Sequence, residues 1–242
     1  PAAIRLQNLL RAGYANGIGQ VMHDSNGNVV RCTEIIADKL FTKPKPDLGP
    51  HIAVGRGMAS YMKTPCMPTN TPSGAFIKLN SDGTVSMCTG AVDMGQGLHT
   101  ALAQIGAEAL GLPFEKVHFQ YSVDTLTSPY DWQTVASHST WGAGNAAILA
   151  AEDLKRKLRE EGAKVFGVPV EEVSAEAGEV RYQDRSIGWS EFATGIRNPD
   201  GSALTKPVMG EGYFIPKGIQ NHDPETGQGN AAADWTLGCV GA

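Results

Sequence analysis

The alternation of apolar and polar positions predicts a helical opening followed by a mixed array of strands and helices. Apolar residues recur at helical spacing in Ile4-Arg5-Leu6-Gln7-Asn8-Leu9-Leu10, and the run stops at Gly13. Cys32 to Phe41 predicts a second short helix. Lys43-Pro44-Lys45-Pro46-Asp47-Leu48-Gly49-Pro50 breaks it, because proline lacks the N–H donor and fixes φ. This stretch is read as a linker, dividing the chain into an N-terminal helical segment with its linker, 1–50, and a domain spanning 51–242. His51 to Met62 predicts a strand. Ala75 to Leu79 and Thr84 to Thr89 predict a hairpin around Asn80-Ser81-Asp82-Gly83, since Asp-Gly readily takes the positive φ of a tight turn.

Further on, Leu98, Leu102, Ile105, Ala109 and Leu110 line one face of a helix that Gly111 and Pro113 should end. Val117 to Tyr121 alternates as a strand. A long helix is expected from about Gly142 to Val165, apolar at Ala147, Leu154 and Leu158. Both helices leave through the same frame, apolar-Gly-apolar-Pro-apolar-Glu-x-Val, at Leu110 to Val117 and at Phe166 to Val173. Two such units are too few for a solenoid. They predict an α+β domain, a mixed or antiparallel sheet with helices packed on it. Glu179 to Tyr182 and Ser186 to Trp189 form a short hairpin, and Asn198 to Gln228 reads as an irregular Gly/Pro-rich excursion. Trp235 to Val240 is an apolar strand that stops abruptly. With no initiator Met at Pro1, this suggests a fragment of something longer.

Composition narrows the function classes. The 242 residues are 41% hydrophobic and 19% charged, ordinary for a globular protein. Twenty Lys+Arg against 25 Asp+Glu leave a net charge of −5 without a basic block, which argues against nucleic acid as a partner. No apolar run reaches the roughly 20 residues of a membrane span, and no signal peptide opens the chain. Cys32, Cys66, Cys88 and Cys239 lack disulfide or zinc spacing, as expected of free thiols in the cytoplasm. The 29 glycines fall in clusters between periodic segments, where they mark tight turns.

Two clusters could carry chemistry. In Thr89-Gly90-Ala91-Val92-Asp93-Met94-Gly95-Gln96-Gly97-Leu98-His99-Thr100 a strand runs through a Gly-Gln-Gly turn into a helix. A helix start offers unpaired N–H groups and a positive dipole end, and Gln96 can donate and accept at once. The string is neither a dinucleotide fingerprint nor a P-loop. In Gln133-Thr134-Val135-Ala136-Ser137-His138-Ser139-Thr140-Trp141-Gly142, Ser137, Ser139 and Thr140 are either plain helix caps or the donors of a second ligand-binding helix start. No nucleophile elbow, His-Glu-x-x-His helix or metal-ligand spacing is present, and Glu171-Glu172 reads as a solvated pair.

These motifs resemble the molybdopterin-binding subunit of the xanthine dehydrogenase/aldehyde oxidase family of molybdenum hydroxylases. The resemblance is carried by Gly55-Arg56-Gly57-Met58-Ala59, Met67-Pro68-Thr69-Asn70, Gly90 to Thr100, Asp124-Thr125 with Pro129-Tyr130, and Ala136 to Thr140, with Arg5-Leu6-Gln7-Asn8 also similar. It runs in family order through most of the chain and covers a minority of the family's large subunit. It implies a molybdopterin cofactor, with Gly95, Gln96 and Gly97 at the pterin. Ala136, Ser137, Ser139 and Thr140 then lie at the pyrophosphate of a dinucleotide form or near the metal. His138 departs from a position often filled by Arg or an apolar residue and is taken as structural.

The resemblance further implies oxidation of an N-heterocycle of purine or nicotinate type, or of an aldehyde, with water as oxygen source. A glutamate base would assist, and electrons would leave through 2Fe–2S and FAD partners, which with the remainder of the subunit and the substrate make up the expected contacts. That glutamate belongs to a segment absent here, and Glu211 in Gly210-Glu211-Gly212 stands in the wrong place, so no catalytic residue and no protein ligand to a metal is assigned. The fragment alone is expected to be inactive. The competing reading is a non-catalytic α+β module that binds a phosphorylated ligand or a partner subunit.

Overall fold

The computed structural model describes residues 1–63, 67–229 and 237–241. Two compact units emerge: Pro1–Thr69 with Lys217–Ala242, and Asn70–Pro216. Their boundaries lie elsewhere than the 50/51 division expected from the prolines, because returning chain pairs with the N-terminal segment.

The first unit contains α1 (Ala2–Asn8), α2 (Val29–Phe41), β1 (Ala59–Lys63) and β9 (Leu237–Gly241), the strands pairing antiparallel. Asn28 caps α2, its Oδ1 accepting from Arg31 N at 2.8 Å. The strand expected over 51–62 is confined to 59–63, the five positions that find a partner in β9. Residues 51–58 stay irregular. There Arg56 donates to the carbonyls of Leu40 at 2.6 Å, Lys43 at 2.5 Å and Pro44 at 2.6 Å, so it holds the proline-rich crossover. Of the terminal strand expected over 235–240, residues 235 and 236 lie outside the described residues.

The second unit is built on a four-stranded mixed sheet of order β4-β3-β2-β8. Here β2 (Ser73–Leu79) and β3 (Val85–Thr89) form the expected hairpin, with Gly83 at φ 80° in its turn. The helix α3 (Leu98–Leu110) crosses from β3 to β4 (Val117–Phe119), and these two strands are parallel, as a helical crossover permits. The long α4 (Ser139–Phe166) follows. Ile77, Leu79, Val85 and Met87 pack with Leu102, Leu110, Leu154 and Leu158 as one buried core. The matching helix exits are real: Gly111 and Gly167 end α3 and α4 at φ 67° and 70°, and a 3-10 turn follows each. After the second exit, β5 (Ser174–Glu176), β6 (Glu179–Tyr182) and β7 (Arg185–Gly188) make a small antiparallel sheet, and the short α5 (Trp189–Phe192) closes it.

The excursion expected over 198–228 is corrected by β8 (Met209–Phe214), which pairs antiparallel with β2. Its glycines disguise it. A Cβ at Gly210 would sit 2.7 Å from Leu154 Cβ, and one at Gly212 2.8 Å from Leu149 Cβ. Inward positions 210 and 212 therefore carry no side chain, because α4 lies directly on them. Buried Ala143, Ala146, Ala147, Ala150 and Ala151 give α4 a correspondingly smooth face.

Candidate functional site

Both candidate turns lie at one end of the mixed sheet. The turn 90–97 leaves the carboxyl end of β3. Asp131, in the segment leading to 136–140, makes a β-bridge with Ser73 at the start of β2, the antiparallel neighbour. The two segments touch: Val92 N donates to Thr134 Oγ1 at 2.8 Å. A Cβ on Gly90 would lie 3.0 Å from Asp131 N, so only glycine admits this approach.

The first helix start is already filled. Asp93 Oδ1 accepts from Gly95 N at 2.8 Å and Gly97 N at 3.3 Å, and Oδ2 from His99 N at 3.1 Å. The carboxylate thus occupies the positive end of α3, and these backbone bonds hold its pKa below the usual aspartate value. Gln96 is exposed and turned onto its own loop: Oε1 accepts from Met94 N at 2.6 Å and Nε2 donates to Val92 O at 3.0 Å. One Nε2 hydrogen and one Oε1 lone pair remain for a ligand. Gly95 and Gly97 adopt φ 109° and 77°, with nothing within 4 Å of an added Cβ. Backbone conformation, and not crowding, is what requires glycine there. Behind them the His99 ring stacks on Phe119 at 4.6 Å and its Nε2 lies 3.2 Å from Ala91 O, fixing the first turn of α3.

The second helix start is built differently. The cap position of α4 is held by His138, which makes no side-chain capping bond. Ser139 and Thr140 lie inside the first turn and Ser137 before the cap, so none of the three occupies the cap position itself. Ala136 and Ser137 adopt φ 56° and 58°, left-handed conformations unusual for residues other than glycine. Ser139 is buried; Ser137 and Thr140 are exposed. The His138 ring turns inward, fully buried, with Nε2 bonded to Gln133 O. Ser73 Oγ donates to Asp131 Oδ1 at 2.5 Å, and burial raises the Asp131 pKa above its usual value. Asp131 Oδ2 and His138 Nδ1 are buried without a hydrogen-bond partner among the described residues.

The predicted residues are therefore brought to one end of the sheet, but sequence reasoning missed Asp93, Ser73 and Asp131. For Asp93 a signal existed, since Asp-x-Gly spacing favours a carboxylate folding back on the N–H two residues on. Among the described residues no cluster of His, Cys, Asp or Glu could hold a metal ion. A cofactor here would be held through its organic part, by the Gln96 amide and the first-turn N–H groups of α4.

Residues 38–242 match the family model of the molybdopterin cofactor-binding domain. The chain belongs to that family. It is 38% identical over 155 residues to the "Probable hypoxanthine oxidase XdhD" of Escherichia coli K12, covering 63% of this chain and 16% of that protein. It is 32% identical over 165 residues to the xanthine dehydrogenase molybdenum-binding subunit of Escherichia coli O157:H7, covering 65% of this chain and 22% of the relative. The aldehyde oxidoreductase of Desulfovibrio gigas shares the fold, with a TM-score of 0.65 at 20% identity over 99% of this chain and 23% of that one. The chain thus spans less than a quarter of the length of each. No helix among the described residues is long and apolar enough to cross a membrane.

Proposed function

We propose that this chain forms one wall of the molybdopterin site in a molybdenum hydroxylase that oxidises an N-heterocycle or an aldehyde, with water as the oxygen source. The observation that carries the reading is the hydrogen bond from Val92 to Thr134, which joins the Gly-Gln-Gly turn to the uncapped start of α4 in a molybdopterin-binding fold. The 28-residue α4 offers N–H donors and a positive dipole end to an anionic group, so the phosphate of the cofactor's tail fits there. Gln96 directs its remaining donor and acceptor to the pterin. Asp93, by neutralising the start of α3, keeps that turn from competing for the phosphate.

When bound, the cofactor supplies the two-electron oxidation; this chain supplies orientation and hydrogen bonds. None of the residues at the two turns is placed as a general base, and the catalytic base belongs to another part of the enzyme. Iron–sulfur and FAD partners would carry the electrons away. Free Cys32 and Cys88 suit a cytoplasmic setting. The chain alone, holding one wall of the site, is proposed to be inactive.

Molybdenum and pterin analysis of the native protein carrying this chain tests the reading, and Gln96→Ala sharpens it. We expect cofactor occupancy to fall several-fold while thermal stability of the cofactor-free form moves by about 1 kcal/mol or less, as for an exposed residue. A native protein with phosphate affinity but neither metal nor pterin would instead favour a non-catalytic phosphate-binding module.

A further inference from the structure

We propose that His138 is a positioning residue: its buried imidazole, bonded back to the Gln133 carbonyl, locks the left-handed backbone at Ala136 and Ser137 and leaves the start of α4 uncapped for a phosphate group. The inference rests, for its ligand, on the phosphate reading above, but the geometry stands on its own.

A cap position normally carries a residue whose side chain turns back onto the first N–H groups of its helix, as Asn28 does at α2. His138 withdraws its ring into the interior instead. The Gln133 carbonyl can only accept, so Nε2 must carry a proton and donate. This bond closes residues 133–138 into a ring, supported by the backbone bond from His138 N to Val135 O at 3.2 Å. The ring is moored at both ends. Before it, Asp131 accepts from Ser73 Oγ on β2. After it, Gly142 leaves room for the imidazole, since a Cβ there would lie 3.0 Å from His138 Nδ1 and 2.7 Å from Ser73 Oγ. Trp132 stands 5.6 Å from the His138 ring, centroid to centroid. Two successive non-glycine residues persist in the left-handed region only where surrounding structure over-determines them, and this closed, moored loop does so.

The test combines NMR of the chain with two substitutions. In the unsubstituted chain the His138 ring should show a proton on Nε2 that exchanges slowly. His138→Leu keeps the volume and loses the donor; His138→Gln restores a donor at similar reach. We expect H138L to speed amide exchange at 134–140 about tenfold, the loss of one buried hydrogen bond, with 98–110 unchanged, and H138Q to recover most of that protection. Binding of inorganic pyrophosphate should weaken in H138L and recover in H138Q. An Nε2 without a proton, unchanged exchange in H138L, or an H138Q as loose as H138L would each overturn the proposal. Should H138L fail to fold, the ring proton and H138Q decide. If the unsubstituted chain binds no pyrophosphate, the phosphate reading fails while the exchange result still judges His138.

Discussion

The two helix starts at the end of the mixed sheet look alike in sequence type and differ in electrostatics. At α3 the chain fills its own anion site: Asp93 takes the N–H groups of Gly95, Gly97 and His99, and glycine supplies the left-handed positions. At α4 the cap residue turns its side chain away, and the left-handed positions are held by Ala136 and Ser137. One start is finished internally. The other is kept strained and uncapped by its surroundings. The lesson is that a Gly-rich turn before a helix says little about ligand binding until the location of the nearest acceptor is known.

Substitutions can break this contrast in order of size. Gly142→Ala should be the costliest: its Cβ meets Ser73 Oγ and His138 Nδ1, and overpacking of up to ~3 kcal/mol outweighs the ~1 kcal/mol that alanine gains in a helix. A net loss of about 2 kcal/mol by denaturant unfolding is expected. Gly97→Ala should cost about 1 kcal/mol from its φ of 77°, whereas Ala136→Gly should be neutral or stabilise by up to about 1 kcal/mol, the opposite sign for the same kind of turn.

The smallest effect is set by pH. Asp93 has a depressed pKa in the folded chain, so its bonds contribute fully above its unfolded value of about 3.9 and are lost as pH falls through the lower folded value. Protection of the Gly95, Gly97 and His99 amides, corrected for intrinsic exchange, should drop in that acid window. Asp93→Asn should remove the pH dependence.

Much of this architecture was readable from residue pattern. The bounds of α3, the β2–β3 hairpin and the Gly111 and Gly167 exits follow from periodicity and from glycine's access to positive φ. The strand β8 was hidden because Gly210 and Gly212 stand where a half-buried strand usually shows large apolar residues, and their reason lies in α4, remote in sequence. The turn at Gly95–Gly97 was visible, yet its occupant was not, since the fold-back of Asp93 is a choice among local hydrogen bonds. His138 read as structural, and its burial agrees; that it departs from the cap role is a tertiary effect of Ser73, Asp131 and Gly142, which periodicity does not encode.

The most direct measurement is an amide-resolved NMR titration of the chain with inorganic pyrophosphate. Saturable shifts are expected at residues 136–141, where His138 makes no capping bond, and little movement at 95–99, where Asp93 already holds the donors. Saturable shifts at 95–99 with none at 136–141 would contradict that contrast.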